Sequence, residues 1–273
     1  MANQIEREIE AAGGTIGVTS ERRGPLAIWT IDRPDRRNAL SRSVVRELGR
    51  LAREASNDRT LRCVIVTGAG DQAFCAGADL KERQGMIEEE VRDFLSLYRV
   101  SLRELDRLGV PTIAAIDGVA FGGGLELALS CDLRIASRTA KLGLTETSLG
   151  IIPGAGGTQR LARELPASKL KELILFATRL DAQEALELGI VNRLADPGQR
   201  ALDAALAWCA PLLEGAPIAL SAALSAIDAA YDLPLEEGLS VERLAYERTL
   251  ASKDRLEALA AFAGKRKPVF TGE

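Results

Sequence analysis

Residues 112–136 read TIAAIDGVAFGGGLELALSCDLRIA. Thr112 to Ile116 is an apolar run of strand length, ended by Asp117-Gly118. Gly122-Gly123-Gly124 then opens the run LELALS, which reads as a helix with Glu126 in its first turn. Leu133 to Ala136 is again strand-like. A strand, a glycine turn, a helix and a further strand in so short a stretch make an α/β unit. Three consecutive glycines are costly in conformational entropy, so a purely structural role does not account for them well.

The same alternation extends upstream. Leu26 to Ile31 (LAIWTI) and Cys63 to Thr67 (CVIVT) are strand-like runs. Ser41 is placed to cap a helix whose apolar positions are Val44, Val45, Leu48, Leu51, Ala52 and Ala55. A second helix is expected over 87–108. Downstream, Leu142 to Leu144 and Ile190 to Leu194 read as strands. Helical spacing dominates after 157, over 158–164, 167–177, 181–188, 198–214, 217–230, 235–251 and 254–264. The expected organisation is an α/β core over residues 1–200, with residues 1–14 a loose arm, and a helical region over 201–273 that packs on another subunit.

Composition narrows the chemistry. The chain has 273 residues, 47% of them apolar, enough to bury a sizeable core. The net charge of −4 argues against a non-specific nucleic-acid binder. The start MANQIEREIEAAGG lacks the pattern of a secretory signal, and no apolar run reaches the length of a membrane span. Cys63, Cys75, Cys131 and Cys209 are widely spaced, and read as reduced, buried thiols of a cytoplasmic protein.

There is no histidine. That removes Ser-His-Asp and Cys-His nucleophilic sites, HExxH zinc sites and imidazole bases together. Proton transfer near neutral pH then falls to carboxyls with raised pKa, to Lys, Cys or Tyr, or to the backbone. Two glutamates occupy suggestive settings among the 39 acidic residues. Glu126 sits where free helix N-terminal N–H groups favour negative charge. Glu146 lies between an apolar strand and the loop Pro153-Gly154-Ala155-Gly156-Gly157, a setting that raises a carboxyl pKa by desolvation.

Two further segments bear on binding. Gly68-Ala69-Gly70-Asp71-Gln72-Ala73 matches a loose dinucleotide fingerprint, but the following Phe74-Cys75-Ala76-Gly77-Ala78-Asp79 makes a poor helix, so the nucleotide reading fails its own context. The small side chains of Ala76-Gly77-Ala78 allow a ligand close to the backbone, and Asp79 is a natural cap for the residues after it.

These segments make the chain recognisable. It resembles the enoyl-CoA hydratase/isomerase (crotonase) superfamily from about Ile16 onward, through four stretches in order: Arg33-Pro34 to Asn38-Ala39-Leu40, Ala73 to Glu82 (AFCAGADLKE), Ala114 to Asp132, and Gly150 to Leu161 (GIIPGAGGTQRL). The resemblance implies an α/β spiral of ββα units with a helical C-terminal trimerisation region, and trimers or hexamers of the chain. It implies an oxyanion hole from the N–H groups of Ala78 and Gly123, with Glu126 as the base on a water and Glu146 as the proton donor to the α-carbon. Coenzyme A, which is part of the substrate and not a separate cofactor, would meet Arg37, Ala39, Ala76, Ala78, Asp79, Leu80, Lys81 and Gly123. Phe262 and Lys265 would cover it, often on a neighbouring subunit. No metal is implied.

CAGADLKER, PTIAAIDG, GGGLELALSCDLRIA and SKDRLEALAAF look most like the methylglutaconyl-CoA hydratase branch of leucine breakdown. The distal carboxylate of that substrate calls for a cationic partner, for which Arg83 is a candidate, although LKER equally reads as an exposed helix start. Some members of that branch bind RNA through a basic helix, but the matching region, Leu48 to Arg62, mixes acids with bases, so no nucleic-acid partner is expected. The competing readings are an isomerase working through the same enolate, and a non-catalytic acyl-CoA or RNA-binding protein on this scaffold.

Overall fold

The structure, a computed structural model, describes residues 17–273. The expected loose arm over 1–14 lies outside the described residues. The strands are β1 (Val18–Arg23), β2 (Leu26–Ile31), β3 (Cys63–Gly68), β4 (Ala73–Cys75), β5 (Thr112–Ile116), β6 (Val119–Phe121), β7 (Leu133–Ala136), β8 (Lys141–Gly143), β9 (Leu180–Asp181) and β10 (Arg193–Leu194). They form a six-stranded sheet of order β1-β2-β3-β5-β7-β10 and a four-stranded sheet of order β4-β6-β8-β9. Three times in succession the chain runs a strand of the large sheet, turns sharply, and runs a strand of the small one: β3 then β4, β5 then β6, β7 then β8. Within each sheet these strands are parallel. This is the expected spiral of strand–strand–helix turns.

Both faces of the large sheet are covered, which is why its strands read as unbroken apolar runs. Along β2, Ala27, Trp29 and Ile31 face the main core with Phe74, Phe94 and Leu125, while Leu26 and Ile28 face the other side. There, Ile28, Ile65, Ile113 and Ile135 pack against Ala201, Ala205 and Cys209 of the helix Ala201–Glu214. The buried Asp117 fastens that helix, accepting the Ala201 N–H at 2.9 Å and the Arg200 guanidinium at 3.1 Å. The helix therefore belongs to the core, and the expected boundary at 200 falls too early. Beyond it, the helices Pro217–Asp232, Leu235–Leu250 and Lys253–Ala263 bury little and expose Tyr231, Leu235, Leu244, Tyr246, Leu256 and Phe262. Among the described residues no single helix is long and apolar enough to cross a membrane.

Several boundaries differ from the sequence reading. β4 and β6 are three-residue strands placed directly after tight turns, too short to show a period. The strand expected over 190–194 shrinks to Arg193–Leu194, because the Val191 N–H closes back onto Ala185 O at 3.2 Å. The helix expected over 158–164 divides into Gly157–Arg160 and a 3₁₀ turn at Leu161–Arg163. After β3 no helix opens, as the failed nucleotide fingerprint required.

One polar residue sets the path into the site. Asn38 is buried in the left-handed region at φ 55°. Its amide donates to Ala69 O at 2.9 Å and Ala73 O at 2.6 Å, and its Oδ1 accepts the Arg33 N–H at 3.0 Å. It thus closes the β3–β4 turn against the loop before the helix Arg42–Ser56. Asn38→Ala takes the partner from three backbone groups, one buried and two part-buried, and should cost about 2–4 kcal/mol. Urea unfolding should show a lower midpoint with an unchanged slope; an unchanged midpoint would contradict this role.

Candidate active site

Consecutive turns of the spiral deliver two loops to one place. β4 leads into Ala76-Gly77-Ala78, and its parallel neighbour β6 leads into Gly122-Gly123-Gly124. A parallel bridge joins Leu40 to Ala78: the Leu40 N–H donates to Gly77 O at 2.8 Å and the Asp79 N–H to Leu40 O at 3.0 Å. That pattern leaves the Ala78 N–H directed away from the bridge. The Gly123 N–H begins the helix Gly123–Ala128 and has no partner one turn earlier. Neither N–H is taken up by the protein among the described residues.

The triple glycine has three separate causes. Gly122 adopts φ 52° and ψ −123°, open to glycine alone. A Cβ on Gly123 would meet Tyr98 Oη at 2.3 Å, and one on Gly124 would meet Cys75 O at 2.1 Å. The third glycine thus allows the two loops to touch, and the second makes room for Tyr98.

Both loops open onto a cavity of about 480 Å³, bordered also by Glu126, Glu146, Arg83 and Tyr98. Its volume suits the reacting end of a small-molecule ligand. Glu126 Oε1 accepts two backbone N–H groups, from Ala155 and Gly157, each at 2.8 Å. Glu146 stands in a 3₁₀ turn after β8, with Oε2 buried and unpartnered. The outer rim is apolar, formed by Leu149, Ile151, Ile152 and Pro153.

Comparison with known proteins agrees with this geometry. The family model described as enoyl-CoA hydratase/isomerase matches residues 21–273. The chain belongs to the enoyl-CoA hydratase/isomerase family. It is 46% identical over 251 residues to the enoyl-CoA isomerase/hydratase fer4 of Mycosarcoma maydis, covering 89% of this chain and 91% of that one. It is 43% identical over 256 residues to the mitochondrial methylglutaconyl-CoA hydratase of Mus musculus, covering 93% and 81%. The crystal structure of an enoyl-CoA hydratase from Bacillus anthracis superposes with a TM-score of 0.91 at 43% identity, covering 94% of this chain and all of that one.

Within this enoyl-CoA hydratase/isomerase site, the predicted residues divide. Ala76, Ala78, Leu80, Gly123, Glu126 and Glu146 border the cavity. Arg37, Ala39, Asp79 and Lys81 do not, and three of them instead hold the donor loop. Arg37 O accepts the Ala76 N–H at 3.0 Å, and Ala39 O accepts Arg33 Nη1 at 2.7 Å. Asp79 caps the helix Leu80–Arg83 and pairs with Arg33 at 2.8 Å. Burial opposes the charge on Asp79, but the Arg33 ion pair and the capping N–H groups outweigh it and lower its pKa. Phe262 is 87% exposed and, with Lys265, lies outside the cavity of its own chain. Tyr98 escaped the sequence reading because Phe94, Tyr98, Leu102 and Leu105 form an ordinary buried helical stripe. Cys75 is packed: burial pushes its thiol up to about 12, and its Sγ accepts the Gly77 N–H at 3.4 Å.

The two glutamates are electrostatically unequal. Burial raises the pKa of Glu126, but the N–H groups of Gly157 and Ala155 oppose that rise and favour its charged form. Glu146 is pushed up to about 7, chiefly by burial and further by the charge of Glu126. Near neutral pH the pair therefore favours one charge and one proton, with the proton on Glu146. The stability consequence has a definite sign. Glu146 titrates near 4.5 when unfolded and about 7 when folded, so between these values the native state binds the extra proton. Its contribution is fully present below 4.5 and is lost as pH rises through about 7. Glu146→Gln should therefore gain more in melting temperature over the wild type at pH 8 than at pH 5. Equal differences at both pH values would refute the raised pKa.

Proposed function

We propose that this chain is a hydro-lyase that reversibly adds water across the 2,3 double bond of an enoyl-CoA thioester. The inequality of Glu126 and Glu146 carries the reading, since syn or anti addition of water alike needs one carboxylate to take a proton and one acid to give one. Water lies between the two carboxyls. Glu126 removes its proton as the oxygen bonds to C3, and the electron pair of the double bond moves toward the thioester carbonyl. The resulting enolate oxygen is met by the N–H groups of Ala78 and Gly123, donors of a kind individually worth about 2.7–4 kcal/mol in the transition state. Glu146 then delivers its proton to C2, giving a 3-hydroxyacyl-CoA. Glu126 ends protonated and Glu146 ionised, and proton exchange restores the pair.

The acyl group we assign carries a distal carboxylate, as in 3-methylglutaconyl-CoA. Arg83 supports this, because its half-buried guanidinium borders the cavity and makes no ion pair among the described residues. The name of the mouse relative points the same way. Coenzyme A lies over the Ala76 to Leu80 loop, with Phe262 and Lys265 of a neighbouring copy covering it. The exposed apolar side chains of the last three helices support such assembly, as a trimer or hexamer.

Glu126→Gln and Glu146→Gln should each lower the hydration of crotonyl-CoA by about 10²–10⁴-fold. Arg83→Met should raise KM for 3-methylglutaconyl-CoA about tenfold or more while sparing crotonyl-CoA, which carries the same coenzyme A. Wild-type rates in both glutamine variants would sink the hydratase reading. Double-bond migration without uptake of oxygen from labelled water would instead favour the isomerase activity named for the Mycosarcoma maydis relative. Light scattering should give three or six times the 29.2 kDa chain mass, reduced by Leu244→Glu. A monomeric wild type at micromolar concentration would exclude the assembly.

A further inference from the structure

Two buried side-chain polar atoms lack a hydrogen-bond partner among the described residues: Glu146 Oε2 and Tyr98 Oη. Both residues border the same cavity. The first belongs to the acid–base pair already assigned. The second has had no task. Leaving a buried hydroxyl unpaired costs about 1–3 kcal/mol, so its persistence calls for an explanation in the occupied site.

The position of Tyr98 is fixed. It lies on the helix Glu88–Asp106, buried, with its ring edge-on to Phe94 at 5.5 Å between centroids. Its hydroxyl lies against the backbone of Gly123. Around the point where a Cβ of Gly123 would stand, the nearest atoms from elsewhere in the chain are Tyr98 Oη at 2.3 Å, Tyr98 Cζ at 3.1 Å and the Ala78 nitrogen at 3.6 Å. The nitrogen of Gly123 itself is about 2.5 Å from that point by covalent geometry. The Tyr98 hydroxyl thus takes the space that a side chain at position 123 would fill, next to the nitrogens of Gly123 and Ala78.

We propose that Tyr98 is a third hydrogen-bond donor to the thioester oxygen, beside the N–H groups of Ala78 and Gly123. This rests on the hydratase reading above. Neither carboxyl of the pair accepts from the phenol, so its donor remains free for substrate. Burial, reinforced by the nearby Cys75, Glu126 and Glu146, holds the phenol well above its ordinary pKa. It therefore stays protonated throughout turnover and acts as a donor, not as a base. Because the negative charge on the thioester oxygen grows along the reaction, the hydrogen bond strengthens toward the enolate and favours the transition state over bound substrate.

Tyr98→Phe tests this with little change in shape. In crotonyl-CoA hydration, kcat and kcat/KM should fall together by about 10–100-fold, the signature of an interaction gained in the transition state. The melting temperature should hold or rise, since an unpaired buried hydroxyl is removed. A purely structural tyrosine would instead lower it. The infrared carbonyl stretch of bound butyryl-CoA, which has no double bond to hydrate, should lie at lower frequency in the wild type than in Tyr98→Phe. An unchanged stretch, or a rise in KM alone, would overturn the proposal. If the wild type hydrates no enoyl thioester, the hydratase reading fails, but the butyryl-CoA stretch still decides whether Tyr98 donates to the carbonyl.

Discussion

At the centre of the molecule two backbones touch where no side chain fits between them. Gly124 stands over the carbonyl of Cys75, and Gly77 stands over the carbonyl of Phe121. That contact is set by the pairing of β4 with β6, Ala73 against Val119 and Cys75 against Ala120. Parallel pairing places the ends of both strands on the same side, so the loops that leave them arrive together. The paired N–H groups, the wall of the cavity and the start of the helix that carries Glu126 all follow from this approach.

The proposed acid–base pair is built on the next turn of the same spiral. β8 pairs with β6, Phe121 against Gly143, and the Gly122 N–H donates to Gly143 O at 2.8 Å. Glu146 follows three residues later and is thereby brought to the glycine turn, where a Cβ on Gly122 would lie 3.1 Å from its Oε1. The segment that continues from Glu146 then returns to Glu126 and supplies its two N–H donors from Ala155 and Gly157. One stretch of chain therefore exposes one carboxyl to desolvation and solvates the other with backbone. The inequality of the two carboxyls comes from burial and main-chain hydrogen bonding, with no cationic side chain bonded directly to either among the described residues.

Much of this was legible in the sequence, for identifiable reasons. The large-sheet strands carry long apolar runs because both of their faces are covered. The absence of histidine placed weight on carboxyls, and the glycine-rich settings of Glu126 and Glu146 singled those out. The short strands β4 and β6 were not legible, since three residues carry no period and their existence depends on pairing across the spiral. Nor was Tyr98, whose place in a buried helical stripe conceals that its hydroxyl emerges beside Gly123. Asp79 is a case of another kind. The resemblance placed it among the backbone contacts of coenzyme A, and its side chain, paired with Arg33 and capping a helix, holds the shape of that loop.

Two of the three donors proposed for the thioester oxygen are main-chain amides, and every residue except proline carries one. A codon change at Ala78 or Gly123 can obstruct them but cannot easily erase them. The electrophilic end of the site is therefore insulated from drift, whereas the side chains around it are not. The side chains that border the cavity lie instead on the helix that bears Tyr98 and on the apolar rim at Leu149 to Pro153. On this frame the walls of the cavity can be remodelled residue by residue while the main-chain donors stay in place.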